Sequence, residues 1–599
     1  MLDEYWEERG FPWEYDPGPP RNRKWPRLFA ETPNYRALGK AVTGKEEFRW
    51  HFGPMFYRGR LGDHEIKVLI VGQEGAQDES LSHRSFTGGT GGRMQNLLNH
   101  LGITESYLFT NTFVYPIFGQ YGTKERLLAQ HPDSPIRRHR EELFDYAVQR
   151  NLPELHLAIA VGRAAKESLA SWVESHGGQA DPDRLHLADS SKISPRLKMV
   201  GVLHPGGASK GGAVTKIKAS FVTAIKQIET WSTADPTWLP VDPGGTRSPA
   251  NQYKNTSDPI PFRDFAFGTA WRLGRDATSS NRKNSQQAIQ MFGEHGKYGN
   301  KGHSLKYPDD ASMSKAGYSD EPGDLAYEPP KSDYKEFDRG PGRSLATLLQ
   351  GGRPGFEWPD FNALGLRCEP SFGTGPIARG RLSRPSILVI ADQQSHDDLF
   401  TGRALTGKAG QHLQAFLKAA GLTESYGILR VLPVDTLDDD QATVRDVVDT
   451  AEVRALHAEA VRRVRPKVLV FCGPLAKRLA PHVTPTGTPT VEMKAHGQSG
   501  SKADWQRALN DLSALSYRKD IRSPSFDYDG KPLQIERHDL PFGTLRWQGS
   551  SGDRGQQPTR GSKVSFDYYK FVMPDWAFKL KPTALSSAEA AAATRLKND

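Results

Sequence analysis

The feature that most limits what this chain can fold into is that it repeats itself. Residues 69–98, LIVGQEGAQDESLSHRSFTGGTGGRMQNLL, align without a gap to residues 388–417, LVIADQQSHDDLFTGRALTGKAGQHLQAFL. The same offset carries through Leu101-Gly102-Ile103-Thr104-Glu105-Ser106-Tyr107 against Ala420-Gly421-Leu422-Thr423-Glu424-Ser425-Tyr426. Upstream, Arg58-Gly59-Arg60-Leu61 recurs as Arg379-Gly380-Arg381-Leu382; downstream, Asp264 with Phe267-Gly268-Thr269 recurs as Asp539 with Phe542-Gly543-Thr544. A repeat of this length reads as two copies of one folding unit.

Inside the first copy the apolar pattern alternates between short runs (67–72, 107–113, 155–161, 198–203) and amphipathic stretches (93–101, 136–150, 163–176, 215–230). That order predicts an α/β fold: two tandem three-layer α/β/α domains, each with a central parallel four-stranded sheet and a C-terminal extension. The expected divisions are an N-terminal extension (1–32), copy one (33–231) and its extension (232–276), a linker or long surface segment (277–357) rich in Ser, Asn, Gly, Pro and Lys, copy two (358–520) and its extension (521–583), and a loose Ala-rich tail (584–599).

Composition narrows the chemistry. With 79 Lys and Arg against 70 Asp and Glu, the net charge of +9 suits a polyanionic partner. Cys368 and Cys472 are the only cysteines, so four cysteines of one chain cannot hold an iron–sulfur cluster or zinc, and neither a metal nor another cofactor is expected. No apolar run approaches a membrane span and no secretory leader is evident, which gives the expectation of a cytoplasmic protein that does not contact membrane.

In parallel sheets ligands sit at the carboxyl ends of the strands, and that is where the unusual residues fall. Run one leads into Gly72-Gln73-Glu74-Gly75-Ala76, then Phe86 and a Gly-rich stretch with Gly91 and Gly92. Run two ends at Thr110-Asn111-Thr112, and run four leads to His204-Pro205, followed by Ser209 and Lys210. A carboxylate, an amide and an imidazole thus share one rim.

These segments resemble the uracil-DNA glycosylase superfamily. Gly72-Gln73-Glu74 looks like its first motif (G-Q-D-P-Y or G-E-A-P-G), 84–98 looks like the R-P-F-x-G-x-x-G-x-x-L segment of its iron–sulfur-containing branch, Asn111 falls where its base-reading Asn lies, and His204-Pro205 looks like its second motif. The cluster cysteines of that branch are missing. Gly75-Ala76 stands where the G-Q-D-P-Y form has the Pro-Tyr that shuts out 5-methyl pyrimidines, so a larger base becomes admissible.

What the resemblance implies is a monofunctional DNA glycosylase that hydrolyses the N-glycosidic bond of a flipped uracil or modified pyrimidine, for repair or for defence against modified phage DNA. Such cleavage leaves positive charge on the sugar and negative charge on the base. Glu74 and His204 are the catalytic candidates, one to activate water and stabilise the cation, one to donate to the leaving base. Asp78 and Glu79 are rival carboxylates. Gln73, Phe86 and Asn111 are candidate base contacts, and Gly91, Gly92, Ser209 and Lys210 candidate contacts to DNA, single- or double-stranded.

Copy two departs at the same places: Asp392 replaces Gln73, Gln393 replaces Glu74, Leu405 replaces Phe86, Arg430 replaces Asn111, and His496 stands roughly at His204. Asp392 is a second-copy candidate for catalysis, whereas Arg430 and His496 read as DNA contacts, so copy two is expected to hold DNA or serve structure. The alternative for the whole chain is a non-catalytic DNA-binding protein or modified-base sensor.

Overall fold

The structure is a computed structural model that describes residues 9–269, 289–293, 337–543, 555–556, 569–573 and 584–598, apart from 46, 49–53, 76–78, 80–81, 118–120, 207–212, 367–375, 395–397, 435 and 438. After helices α1 (Trp25–Ala30) and α2 (Tyr35–Thr43), the first half runs β1 (Arg58–Gly59), β2 (Val68–Gly72), α3 (Gly89–His100), β3 (Tyr107–Asn111), α4 (Thr123–Gln130), α5 (Pro135–Arg150), β4 (Leu157–Val161), α6 (Arg163–Ser175), β5 (Lys198–Val202) and α7 (Ala213–Ala234). Strand order is β1-β3-β2-β4-β5.

The sheet has five strands rather than the four expected, because the two-residue β1 pairs antiparallel with β3 at the edge of four parallel strands. Strands β2, β3 and β4 are buried at every position, as parallel strands covered on both faces must be. Alternation sorts their side chains. Leu69 and Val71 join the core under α5 and α6, while Val68 and Ile70 join that under α3 and α7.

The second half repeats this arrangement. After α8 (Arg343–Leu349) come β7 (Ala378–Gly380), β8 (Ile387–Ala391), α9 (Lys408–Ala419), β9 (Tyr426–Arg430), α10 (Gln441–Val448), α11 (Ala451–Val464), β10 (Val468–Cys472), α12 (Pro474–Val483), β11 (Thr490–Met493) and α13 (Ser501–Ser513). Its order, β7-β9-β8-β10-β11, matches the first sheet strand for strand, including the antiparallel edge.

Parts of the expected linker or long surface segment (277–357) and of the expected tail (584–599) form regular structure. Within 277–357, β6 (Ile289–Gly293) pairs parallel with β13 (Tyr569–Met573), which pairs with β12 (Gly555–Gln556), and α8 buries Leu345, Ala346, Leu348 and Leu349 in the second core. Within 584–599, α14 (Ser587–Asn598) is a helix against α2: Ala592, Ala593 and Leu596 are buried, and the Asn34 N–H donates to Glu589 Oε1 at 2.9 Å. Amphipathicity too weak to read from an Ala-rich run suffices once a partner face is supplied.

The extensions cross between halves. Phe542 leaves the second half to enter the first core, with ring centroids 5.2–6.0 Å from Phe29, Phe56, Tyr57 and Phe337. Its carbonyl accepts from Arg84 Nη1 at 2.8 Å, while Arg84 Nε donates to Asp16 Oδ2 at 2.8 Å. In reverse, Phe267 of the first half lies in the second core, its carbonyl accepts from Arg403 Nη1, and Arg403 Nε donates to Asp338 Oδ2 at 2.5 Å. Asp264 and Asp539, just ahead of the crossing points, stay with their own halves and accept from Tyr107 and Tyr426 respectively, both at 2.7 Å.

Truncating a fully enclosed Phe costs about 3–5 kcal/mol. Phe542→Ala should therefore lower stability by about that amount, and, because the ring is seated in the first core, amide exchange should quicken around Phe29 and Tyr57 rather than around β10.

Candidate nucleic-acid site

The carboxyl ends of β2, β3 and β5 place the predicted residues along one rim, and the ladder between β2 and β3 continues past both strands. Thr112 N–H donates to Gly72 O (2.8 Å) and Phe113 N–H to Gln73 O (2.9 Å). This fixes 72–74 against 111–113. Glu74, half-buried, uses Oε2 to accept from the Ile117 N–H at 2.8 Å, and Gln73 Nε2 donates to Oε1 at 3.3 Å.

Gly72, Phe86 and Asn111 form a close cluster. A Cβ on Gly72 would lie 2.3 Å from the Phe86 ring and 2.6 Å from Asn111 Oδ1, so no larger residue fits there unless these neighbours move. Phe86 is buried, packs at 4.9 Å on Phe109, and adopts φ +56°, a left-handed conformation costly for an aromatic residue. Glu79 pins that turn, its Oε1 accepting from Thr87 N–H (3.0 Å) and Gly88 N–H (3.2 Å). Its carboxylate thus serves the loop; the rival Asp78 lies outside the described residues.

The orientation of the Asn111 amide follows from its neighbour. Ser85 Oγ donates to Met55 O at 3.0 Å, so it accepts from Asn111 Nδ2 at 3.3 Å. Asn111 Oδ1 is left facing Gly72, buried and without a hydrogen-bond partner among the described residues. An unpaired buried acceptor is costly unless something donates to it. Sequence reading named Asn111 but missed Ser85, which lies within the 84–98 motif and decides which end of the amide is free.

His204 follows β5. Leu203 N–H donates to Ser220 Oγ on α7 (2.8 Å), and Arg93 of α3 donates to Pro205 O (2.9 Å), which clamps the segment from both sides. Gly206 N–H donates to His204 Nδ1 at 3.1 Å, so the proton of the neutral ring sits on Nε2. Desolvation lowers the pKa of His204, although the residue keeps an exposed edge, and favours this neutral form. A Cβ on Gly162, beyond β4, would stand 3.2 Å from that of His204.

Gly91 and Gly92 are buried; a Cβ would meet Phe86 O at 1.7 Å on Gly91 and Ser257 Oγ at 2.1 Å on Gly92, so close packing requires glycine at both positions. The space expected to open at Gly75 is taken by Met55, whose sulfur would be 2.0 Å from a Cβ there. Ser209 and Lys210 lie outside the described residues. Among the described residues no group of three His, Cys, Asp or Glu is arranged to hold a metal ion.

The equivalent rim of the second half is filled. Arg430, expected on phosphate, is buried: Nη2 donates to Val434 O at 2.8 Å and Nη1 lies 3.8 Å from the buried Asp398. Asp392, the second-copy candidate, turns to the N-terminus of α12, where Oδ1 and Oδ2 accept from Ala476 N–H (2.8 Å) and Leu475 N–H (3.1 Å). Gln393 Oε1 accepts from Thr436 N–H at 2.8 Å, the bond that Glu74 makes to Ile117. Leu405 keeps the left-handed φ of Phe86, at +49°. His496 is half-buried and stacks on His412 with centroids 4.1 Å apart.

Residues 60–228 match the family model of the Uracil DNA glycosylase superfamily. The match spans the rim from Gln73 and Glu74 through Phe86 and Asn111 to His204. No curated protein matches the chain.

Burial raises the Asp392 carboxyl from 3.8 to about 6 despite its two N–H donors. The folded state then holds a proton that the unfolded state has released, so this group's contribution to stability is full below pH 4, falls by about 3 kcal/mol as pH rises from about 4 to about 6, and is level above. Carboxyl-carbon NMR should show Asp392 titrating near 6, well above the ordinary aspartate range.

Proposed function

We propose that the first half is a DNA glycosylase acting on a flipped uracil or modified pyrimidine, and that the chain arose by tandem duplication with the second half kept for structure. The observation that carries this reading is Asn111 Oδ1, a buried acceptor held beside Gly72 and Phe86. A uracil-type ring offers an N3–H to such an acceptor, and Phe86 supplies an apolar surface for the base. Met55 lies at the base side of the same loop, so tolerance of a 5-substituent depends on movement of that flexible side chain.

In this scheme Glu74 faces the sugar and stabilises the developing cation or orients water, with Ile117 N–H holding it in place. His204 donates from Nε2 to the leaving base and needs no prior protonation. A role in repair or in defence against phage DNA with altered bases is equally compatible with this chemistry.

A non-catalytic sensor is favoured by one observation: Gln393 makes the same backbone bond as Glu74, so that bond alone requires no charge. Base release by mass spectrometry, from DNA bearing uracil or a panel of 5-substituted pyrimidines, separates the readings. Glu74→Gln and His204→Ala should each reduce release roughly 10²–10⁴-fold. Selective binding with no release from any substrate would establish the sensor instead. Gln393→Glu should create no second activity, because Arg430 and Asp398 fill that rim.

The acid limb gives a further check. A neutral His204 is present above its lowered pKa and is lost as pH falls through it, so release by the wild type should persist as pH drops past 6.5, the ordinary histidine value.

A further inference from the structure

Between the halves, away from the rim, a half-open cleft of about 510 Å³ is lined by Arg21, Arg339, Arg381, Glu424, His538 and Asp539, among others. The same place in the first half is closed. There Arg60, at the position of Arg381, reaches within 3.7 Å of Asp264 Oδ1, and Arg263, at the position of His538, donates to Thr104 O. In the second half the two arginine contacts are lost among the described residues, and His538 Nε2, 3.5 Å from Asp539 Oδ1, is the group that approaches the carboxylate. His538 is too short to reach across, and the Arg381 guanidinium has no hydrogen bond or ion pair.

Two features make this opening a built site rather than a surface gap. Arg21, exposed and also without a bond or ion pair from its guanidinium among the described residues, stands near Arg339, whose pKa is lowered by burial and by Arg21 beside it. The cleft also holds Glu424 and Asp338, the latter committed to Arg403, so it is the unpaired donors of Arg21 and Arg381 that are open to an anion. On the floor, the wholly buried Asp539 commits Oδ2 to Tyr426 and Arg379, yet its Oδ1 has no hydrogen-bond partner and the His538 Nε2 is 3.5 Å away. A bare phosphate would leave that acceptor unmet, and the volume is that of a small-molecule site.

We propose that this cleft binds a nucleotide, with Arg21, Arg339 and Arg381 on its phosphate and Asp539 Oδ1 accepting from an N–H or hydroxyl of the same nucleotide. The phosphate belongs either to a free nucleotide or to one held in a DNA strand, and the two sources differ in their test.

The full chain is titrated calorimetrically with inorganic phosphate, with each 2′-deoxynucleoside 5′-monophosphate, and with an unmodified single-stranded 12-mer. Arg21→Gln/Arg381→Gln is compared with wild type and with Arg184→Gln, an exposed arginine elsewhere. A monophosphate that binds more tightly than phosphate and weakens roughly tenfold only in the double variant supports a free nucleotide. Weakening of the 12-mer alone, with a salt slope shallower by roughly 1–2, assigns the phosphate to a strand. Unchanged binding of every probe in the double variant overturns the proposal, as does phosphate binding as well as any nucleotide. Because variants can perturb folding, the unaltered chain is also labelled with phenylglyoxal: nucleotide or 12-mer must protect Arg21 and Arg381 while leaving Arg184 reactive, and absence of protection overturns the proposal too.

Discussion

The crossed arginine clamps are the constraint on which the remaining structure depends. Arg84 is wholly buried and reaches across to the backbone of Phe542, with Asp16 on its other side. A buried guanidinium is tolerated only when its charge and its donors are met, and here one partner comes from the opposite half of the chain. Since Arg84 immediately precedes Ser85 and Phe86, the clamp also sets the loop that carries the free Asn111 acceptor. The first rim is therefore built partly by the second half.

The two rims show how one framework can keep its geometry and lose its vacancy. The bend at Phe86 and Leu405, the pinning carboxylates Glu79 and Asp398, and the backbone bonds of Glu74 and Gln393 are preserved. What differs is what fills the space. Arg430 brings a charge into the position of Asn111, and Asp398 lies close enough to pair with it. Removing either member would leave an uncompensated buried charge, so the pair holds the second rim closed.

Much of this was legible in the sequence, and the exceptions have physical causes. Apolar runs ending in Gly72, Asn111 and Val161 declared the parallel strands and thus the rim, because buried strands admit little else. Arg430 was misread because residue type says that a guanidinium seeks an anion, and cannot say whether that anion is a phosphate or the Asp398 of the same chain. Asp392 was misread for a similar reason: a carboxylate at a strand end serves a helix N-terminus as readily as a substrate, and only the position of α12 decides. The crossing of Phe267 and Phe542 was invisible because it joins residues hundreds of positions apart, with no local pattern to mark it.

The return of α14 to α2 bears on how the protein can be made. The first half receives its Phe542 from the second and its covering helix from beyond that, so a ribosome that has finished the first sheet has not finished the first domain. Until those residues emerge, the pocket for Phe542 and the face of α2 that α14 covers stay open to solvent. Synthesis proceeds at roughly 5–20 residues per second, so this interval lasts tens of seconds. Completion of the first half thus waits on residues that follow the whole second sheet in the chain.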